Sequence, residues 1–100
     1  ADEDTRIVYQ SDVLFPAWPN PARAGQEVTV SWHLNEPVEM TLELLDVRGR
    51  VVDTWLPMQS FPRGHHQRSF VLDALQSGTY FYRLTTADGL VRSHTVQVVD

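Results

Sequence analysis

From Gln26 onward the apolar residues of this chain recur at every second position, and the three-to-four-residue interval of a helix never appears. Residues 26–34 (QEVTVSWHL) place Val28, Val30, Trp32 and Leu34 on one face and Thr29, Ser31 and His33 on the other. Residues 38–46 (VEMTLELLD) repeat the pattern, with Val38, Met40, Leu42 and Leu44 inward and Glu39, Thr41 and Glu43 outward. β-branched and aromatic side chains suit a half-buried pleated surface, so both stretches predict strands. The same reading gives a strand over 50–56, one over 67–73 with Phe70 and Leu72 inward, and one over 79–86 with Tyr80, Tyr82 and Leu84 on one face. A last strand over 90–99 has Val96 and Val98 inward.

Turn chemistry separates these runs. Asp46-Val47-Arg48-Gly49 predicts a hairpin: the carboxylate can accept backbone N–H groups two residues on, and Gly49 can take the positive φ that closes the turn. Gln76-Ser77-Gly78 and Asp88-Gly89 predict two more, and 57–64, with Pro57 and Pro62, reads as a loop. Six strands and one or two short ones, about seven in all, predict an all-β antiparallel sandwich of immunoglobulin-like type. Residues 1–11 read as a linker and 12–100 as one sandwich domain, since 100 residues are too few for two cores.

Composition narrows the function classes. Cysteine is absent, so no disulfide or thiolate metal site is possible. All eight basic residues are arginine, scattered from Arg6 to Arg92, and 13 acidic residues bring the net charge to −5. That balance argues against nucleic acid and anionic membrane as partners. No apolar run approaches the roughly 20 residues of a membrane helix, so membrane insertion is not expected. The opening Ala1-Asp2-Glu3-Asp4 is acidic where a signal peptide is basic; the expectation is an export signal elsewhere in a longer precursor, or an excised piece.

Candidate chemistry is sparse. His65 and His66 are adjacent and point to opposite faces of an extended segment, while His33 and His94 fall on solvent faces of distant strands, so no metal site is predicted. No serine sits in a G-x-S-x-G elbow and no glycine-rich phosphate loop occurs. The acidic residues have turn, strand-end or solvent-face roles, and no cofactor or catalytic residue is expected. Trp32 alternates with core positions. Trp18, before Pro19, and Trp55, at a strand end, are the aromatic residues that could stack on sugar rings, which makes an accessory carbohydrate-binding module the alternative reading.

Trp18-Pro19-Asn20-Pro21, the VTVSWHL strand, LELLDVRGRVV and LDALQSGTYFYRL, in that order, resemble the type IX secretion C-terminal sorting domain over about Phe15 to Val99. Pro19, Asn20, Pro21, Asp46, Gly49, Arg50, Gly78 and Tyr80 carry the resemblance. Elementary chemistry gives each a structural role. Pro19 and Pro21 suit an edge because they donate no ladder hydrogen bond; Gly49 and Gly78 permit turns; Tyr80 can bury its ring while its hydroxyl ties back to a turn. The family is also similar in shape to the immunoglobulin-like domain of flagellar hook-capping proteins. The resemblance implies a non-catalytic module that sends an upstream cargo, often a protease or glycoside hydrolase, from the periplasm through the outer membrane to the cell surface. Its implied partners are the outer-membrane secretion machinery and a sortase that cuts ahead of the matching region, here within residues 1–14. Where the family's last strand carries lysines, this chain has Arg92 and His94.

Overall fold

The computed structural model describes residues 11–100, in which the alternating pattern becomes eight strands. These are β1 (Val13–Leu14), β2 (Ala22–Arg23), β3 (Glu27–Leu34), β4 (Val38–Leu45), β5 (Val51–Phe61), β6 (Gly64–Val71), β7 (Gly78–Thr86) and β8 (Val91–Val99). They form a three-stranded sheet, β1-β3-β6, and a five-stranded sheet, β2-β8-β7-β4-β5. The linker assigned to 1–11 lies, except for Ser11, outside the described residues.

The core sits between the two sheets and is built from the inward positions of the alternating runs. Val28, Val30, Trp32 and Leu34 of β3 are fully buried, as are Met40 and Leu42 of β4, Tyr82 of β7 and Val96 of β8. Each such side chain contributes on the order of 2 kcal/mol relative to exposure. Aromatic contacts cross the interior: Trp32 of one sheet meets Phe61 of the other edge-on at 5.5 Å, and Trp55 stacks flat on Phe70 at 4.6 Å.

Two features differ from the sequence reading. Residues 57–61 are not loop but the second half of β5, and only Pro62 and Arg63 separate β5 from β6. The cause is a repeatedly bulged edge. Partners two apart on β4 (Met40 and Leu42) face Gln59 and Leu56, three apart on β5, and further shifts follow at Leu42/Glu43 and Leu44/Leu45. Each bulge adds a residue and breaks the period of two. Pro57 is tolerated because β5 is the outer strand of its sheet and a missing N–H there costs no ladder bond. The bulges and the proline also blunt an edge that would otherwise invite another strand.

The second difference is in the sheet pairing, which is not wholly antiparallel. β2 pairs parallel with β8, Ala22 opposite Val98. The first stretch of chain is thus divided between the sheets: β1 and Trp18 pair with β3, and β2 pairs with β8. Pro19-Asn20-Pro21 makes the crossing. The prolines have no N–H to leave stranded, and the Asn20 amide replaces the missing backbone pairing. Its Nδ2 donates to the Thr95 carbonyl at 3.2 Å and its Oδ1 accepts the Gln97 N–H at 2.9 Å. Asn20→Ala is expected to lower the unfolding free energy by about 1–2 kcal/mol, the worth of two modest hydrogen bonds. Denaturant titration measures that loss, and amide exchange should accelerate at Gln97; an unchanged Gln97 rate would contradict the bridge.

Candidate functional site

Beyond Pro19-Asn20-Pro21 in the crossing segment, the motif residues occupy three places. The first is the β4–β5 hairpin, where Asp46 acts as the hub. Its Oδ1 accepts the N–H groups of Arg48 (2.9 Å) and Arg50 (3.0 Å), and its Oδ2 accepts the Arg50 Nε at 3.1 Å. Its backbone closes the turn as well, through Asp46 N to Arg50 O (2.9 Å) and Gly49 N to Asp46 O (3.0 Å). Gly49 takes φ +83°, a conformation in which any Cβ would be strained. The backbone hydrogen bond from Arg50 is the chief reason the Asp46 carboxyl is held below its ordinary 3.8. Thr86 plays a comparable part in the β7–β8 hairpin: its Oγ1 bonds the Asp88 carboxylate and accepts the Leu90 N–H at 3.0 Å, while Gly89 N donates to Thr86 O.

The second place is the corner before β7. Gly78 opens the strand at φ +153° opposite Val98, and the half-buried Tyr80 donates its hydroxyl to the Gln76 carbonyl at 2.8 Å. Two residues on, Tyr82 lies fully inside and donates to the Phe15 carbonyl at 2.8 Å. Burial pushes the Tyr82 hydroxyl up to about 12 from 10.0, with a smaller opposing effect from the Ala17 backbone. Sequence alternation marked Tyr82 as core, but a partner 67 residues away leaves no local signal.

The third place is β8, where Arg92 and His94 take inward-pointing positions in register with Leu84 and Tyr82. His94 does not face solvent, the position expected for it: two and four residues before the inward Val96 and Val98, it shares their face. It is half-buried, its Nε2 is 2.6 Å from the Leu14 carbonyl, and its ring lies 5.9 Å from that of Tyr82. The reason is that β2 covers only the Val98–Val99 end of β8, so the β1 segment lies against its other half. Arg92 remains exposed and touches the Val91 carbonyl and, at 3.3 Å, the Ser11 hydroxyl.

On the outer face of the five-stranded sheet a shallow groove of about 200 Å³ runs from the Asp46 turn past Leu45 and Phe81 to Arg83 and Ser93. Arg83 Nη2 pairs with Glu43 Oε1 at 2.9 Å across β7 and β4. Both are partly exposed, so the pair is worth below about 1 kcal/mol. Opposite charges at outward positions were visible in the sequence, but not that β7 lies beside β4.

The two tryptophans singled out for sugar stacking are not on one surface. Trp55 is 9% exposed, inside the sandwich against Phe70, whereas Trp18 is 48% exposed beside β3. His65 faces out near Phe15 and His66 faces in near Trp32. Among the described residues no group of three His, Cys, Asp or Glu side chains converges on a point that could hold a metal.

Two titrations check this geometry. The folded Tyr82 pKa lies above its ordinary value, so its contribution is complete below pH 10.0 and is lost as pH rises through about 12. Phenolate absorbance should show one tyrosine ionising only near that upper limit, together with unfolding, and Tyr82→Phe should cost about 1 kcal/mol. Asp46 has the opposite sign: its contribution is present above 3.8 and lost as pH falls through the lowered value. Acid melts of Asp46→Asn should be flatter than those of the parent; identical acid limbs would contradict the assigned role.

Among solved structures, the chain is similar to the CARDB domain of a Pyrococcus furiosus protein, solved in complex with di-metal ions. The TM-score is 0.48 and the identity 17%, over 99% of this chain and 98% of that one. No curated protein matches the chain. A family profile described as the secretion system C-terminal sorting domain matches residues 16–98, from the strand-switching segment to the end of β8. The chain therefore belongs to the secretion system C-terminal sorting domain family.

Proposed function

We propose that this domain is the type IX export address of a larger secreted enzyme, with residues 1–11 as the linker and 12–100 as the unit the machinery handles. The observation that carries the reading is the family match over 16–98. In this reading the cargo precedes the domain, the assembly crosses the periplasm, and a sortase at the outer surface cuts within 1–14. The domain itself performs no chemistry.

The geometry supports a division of labour among the motif residues. Asp46, Gly49, Arg50, Gly78 and Tyr80 build turns; Asn20 and His94 tie the first stretch of chain to β8. Their part in export is to hold the shape that is recognised. Arg92 is different, because it is the exposed cation of β8, and it is the residue we assign to direct contact with the machinery.

Fusing residues 1–100 to a reporter in a type IX-competent host should bring the reporter to the cell surface, and retention in the periplasm would overturn the reading. Within that assay Arg92→Glu should reduce surface display several-fold while leaving the melting temperature unchanged. His94→Ala should reduce both together.

A further inference from the structure

The outer face of the three-stranded sheet differs in chemistry from the rest of the molecule. At the outward positions of three rows of its register, those of Val13, Phe15 and Trp18 with their partners on β3 and β6, no Asp, Glu, Lys or Arg occurs; Arg68, opposite the inward Val30, lies on the other side of β6 over the Phe61 ring. Charged residues make up 21% of the chain, and Glu27 appears only at the margin. In their place are Phe15 and Trp18 along one side, and a line of groups that both donate and accept hydrogen bonds on the other. The Thr29 and Ser69 hydroxyls lie 3.0 Å apart next to Trp18, and the exposed Gln67 and His65 continue the line along β6. Antiparallel partners put their side chains on the same face. Since Val28 and Val30 point into the core, Thr29 and its bridged partner Trp18 point out.

We propose that this face is a platform for a neutral polysaccharide. A pyranose ring presents an apolar C–H face and a rim of hydroxyls. The exposed Trp18 indole, with Phe15 in the adjacent row, supplies a flat apolar surface for the first. Hydroxyl, carboxamide and imidazole groups supply acceptors and donors for the second.

The charge pattern selects among occupants. A nucleic acid or an anionic lipid surface would meet no cation at the outward positions, on a chain of net charge −5, since the one nearby, Arg68, is held over Phe61 on the opposite side of β6. Size argues against a second copy of the chain. Three strands by three rows give roughly 14 by 20 Å, on the order of 300 Å², from strand spacing and rise. A stable protein interface needs about 800 Å² per partner, whereas a few sugar rings fit. This site replaces the pairing of Trp18 with Trp55 by one that shares a single surface, and it stands independently of the export role.

The test is affinity electrophoresis of the full chain through native gels containing hydroxyethylcellulose, xylan or galactomannan. The expected result is retardation on at least one of them, weakened at least tenfold in Trp18→Ala and in Ser69→Arg, which sets a charge in the row that holds Trp18. Both positions are open enough for the variants to fold, as unchanged melting would verify. Val47→Ser, on the distant β4–β5 turn, should bind as the parent does. Absence of retardation on all three polymers overturns the proposal, as does retardation that survives both face substitutions. Concentration-dependent self-association lost in Trp18→Ala, without glycan retardation, would overturn it in favour of an interface between copies.

Discussion

The two sheets share no ladder with one another, and residues 12–24 hydrogen-bond to both. Asp12 Oδ1 accepts the Asn35 N–H at 2.8 Å, Phe15 N donates to Ser31 O at 3.0 Å, and Trp18 exchanges two bonds with Thr29. These tie the segment to the three-stranded sheet. The Leu14 and Phe15 carbonyls receive His94 and Tyr82, Asn20 bridges Thr95 and Gln97, and Ala24 N reaches Val99 O at 2.9 Å. Those bonds tie it to the five-stranded sheet. Apolar burial brings the sheets together but is non-directional; this strap supplies directional bonds between them.

That dependence bears on the proposed export role. If the machinery reads the folded shape, as proposed, a rigid surface is needed, and the residues of the turns and of the strap supply rigidity. The turns at Asp46 and Thr86 use side-chain oxygens to hold backbone N–H groups, and Tyr80 and Tyr82 anchor their hydroxyls on carbonyls. Such polar ties specify one arrangement of packed layers where burial alone would tolerate several. They leave the outer faces of the sheets, the exposed part of β8 and the β4–β5 turn as the surfaces available to partners. The two outer faces have divided chemistries: the Glu43–Arg83 pair beside a groove on one, an uncharged aromatic and hydroxyl strip on the other.

How far the sequence could be read depended on how regular each strand is. β3, β4, β7 and β8 alternate, and most of their buried positions follow from the period of two, Ser31 and Leu45 being buried against it. β5 could not be read this way, because three register shifts against β4 scramble its period and Pro57 mimics a loop boundary. For the same reason Trp55 looked like a residue at a strand end and is part of the core. The Asp46 turn was legible down to the acceptor atom, since its partners lie two and four residues away. The Tyr82, His94 and Asn20 bonds were not, since each joins residues 67 to 80 positions apart.

The sequence by itself therefore determined an all-β sandwich, the identity of most core positions, the chemistry of the hairpins and the family resemblance. All of these rest on local period and local turn geometry, which a single stretch of chain displays. Only the tertiary structure decided that the first stretch of chain divides between the sheets, that His94 meets the Leu14 carbonyl, that Arg83 meets Glu43, and that Trp18 and not Trp55 stands at the surface. Each of those outcomes depends on which strands become neighbours, and strand neighbours are chosen by long-range packing that leaves no mark at the residues concerned.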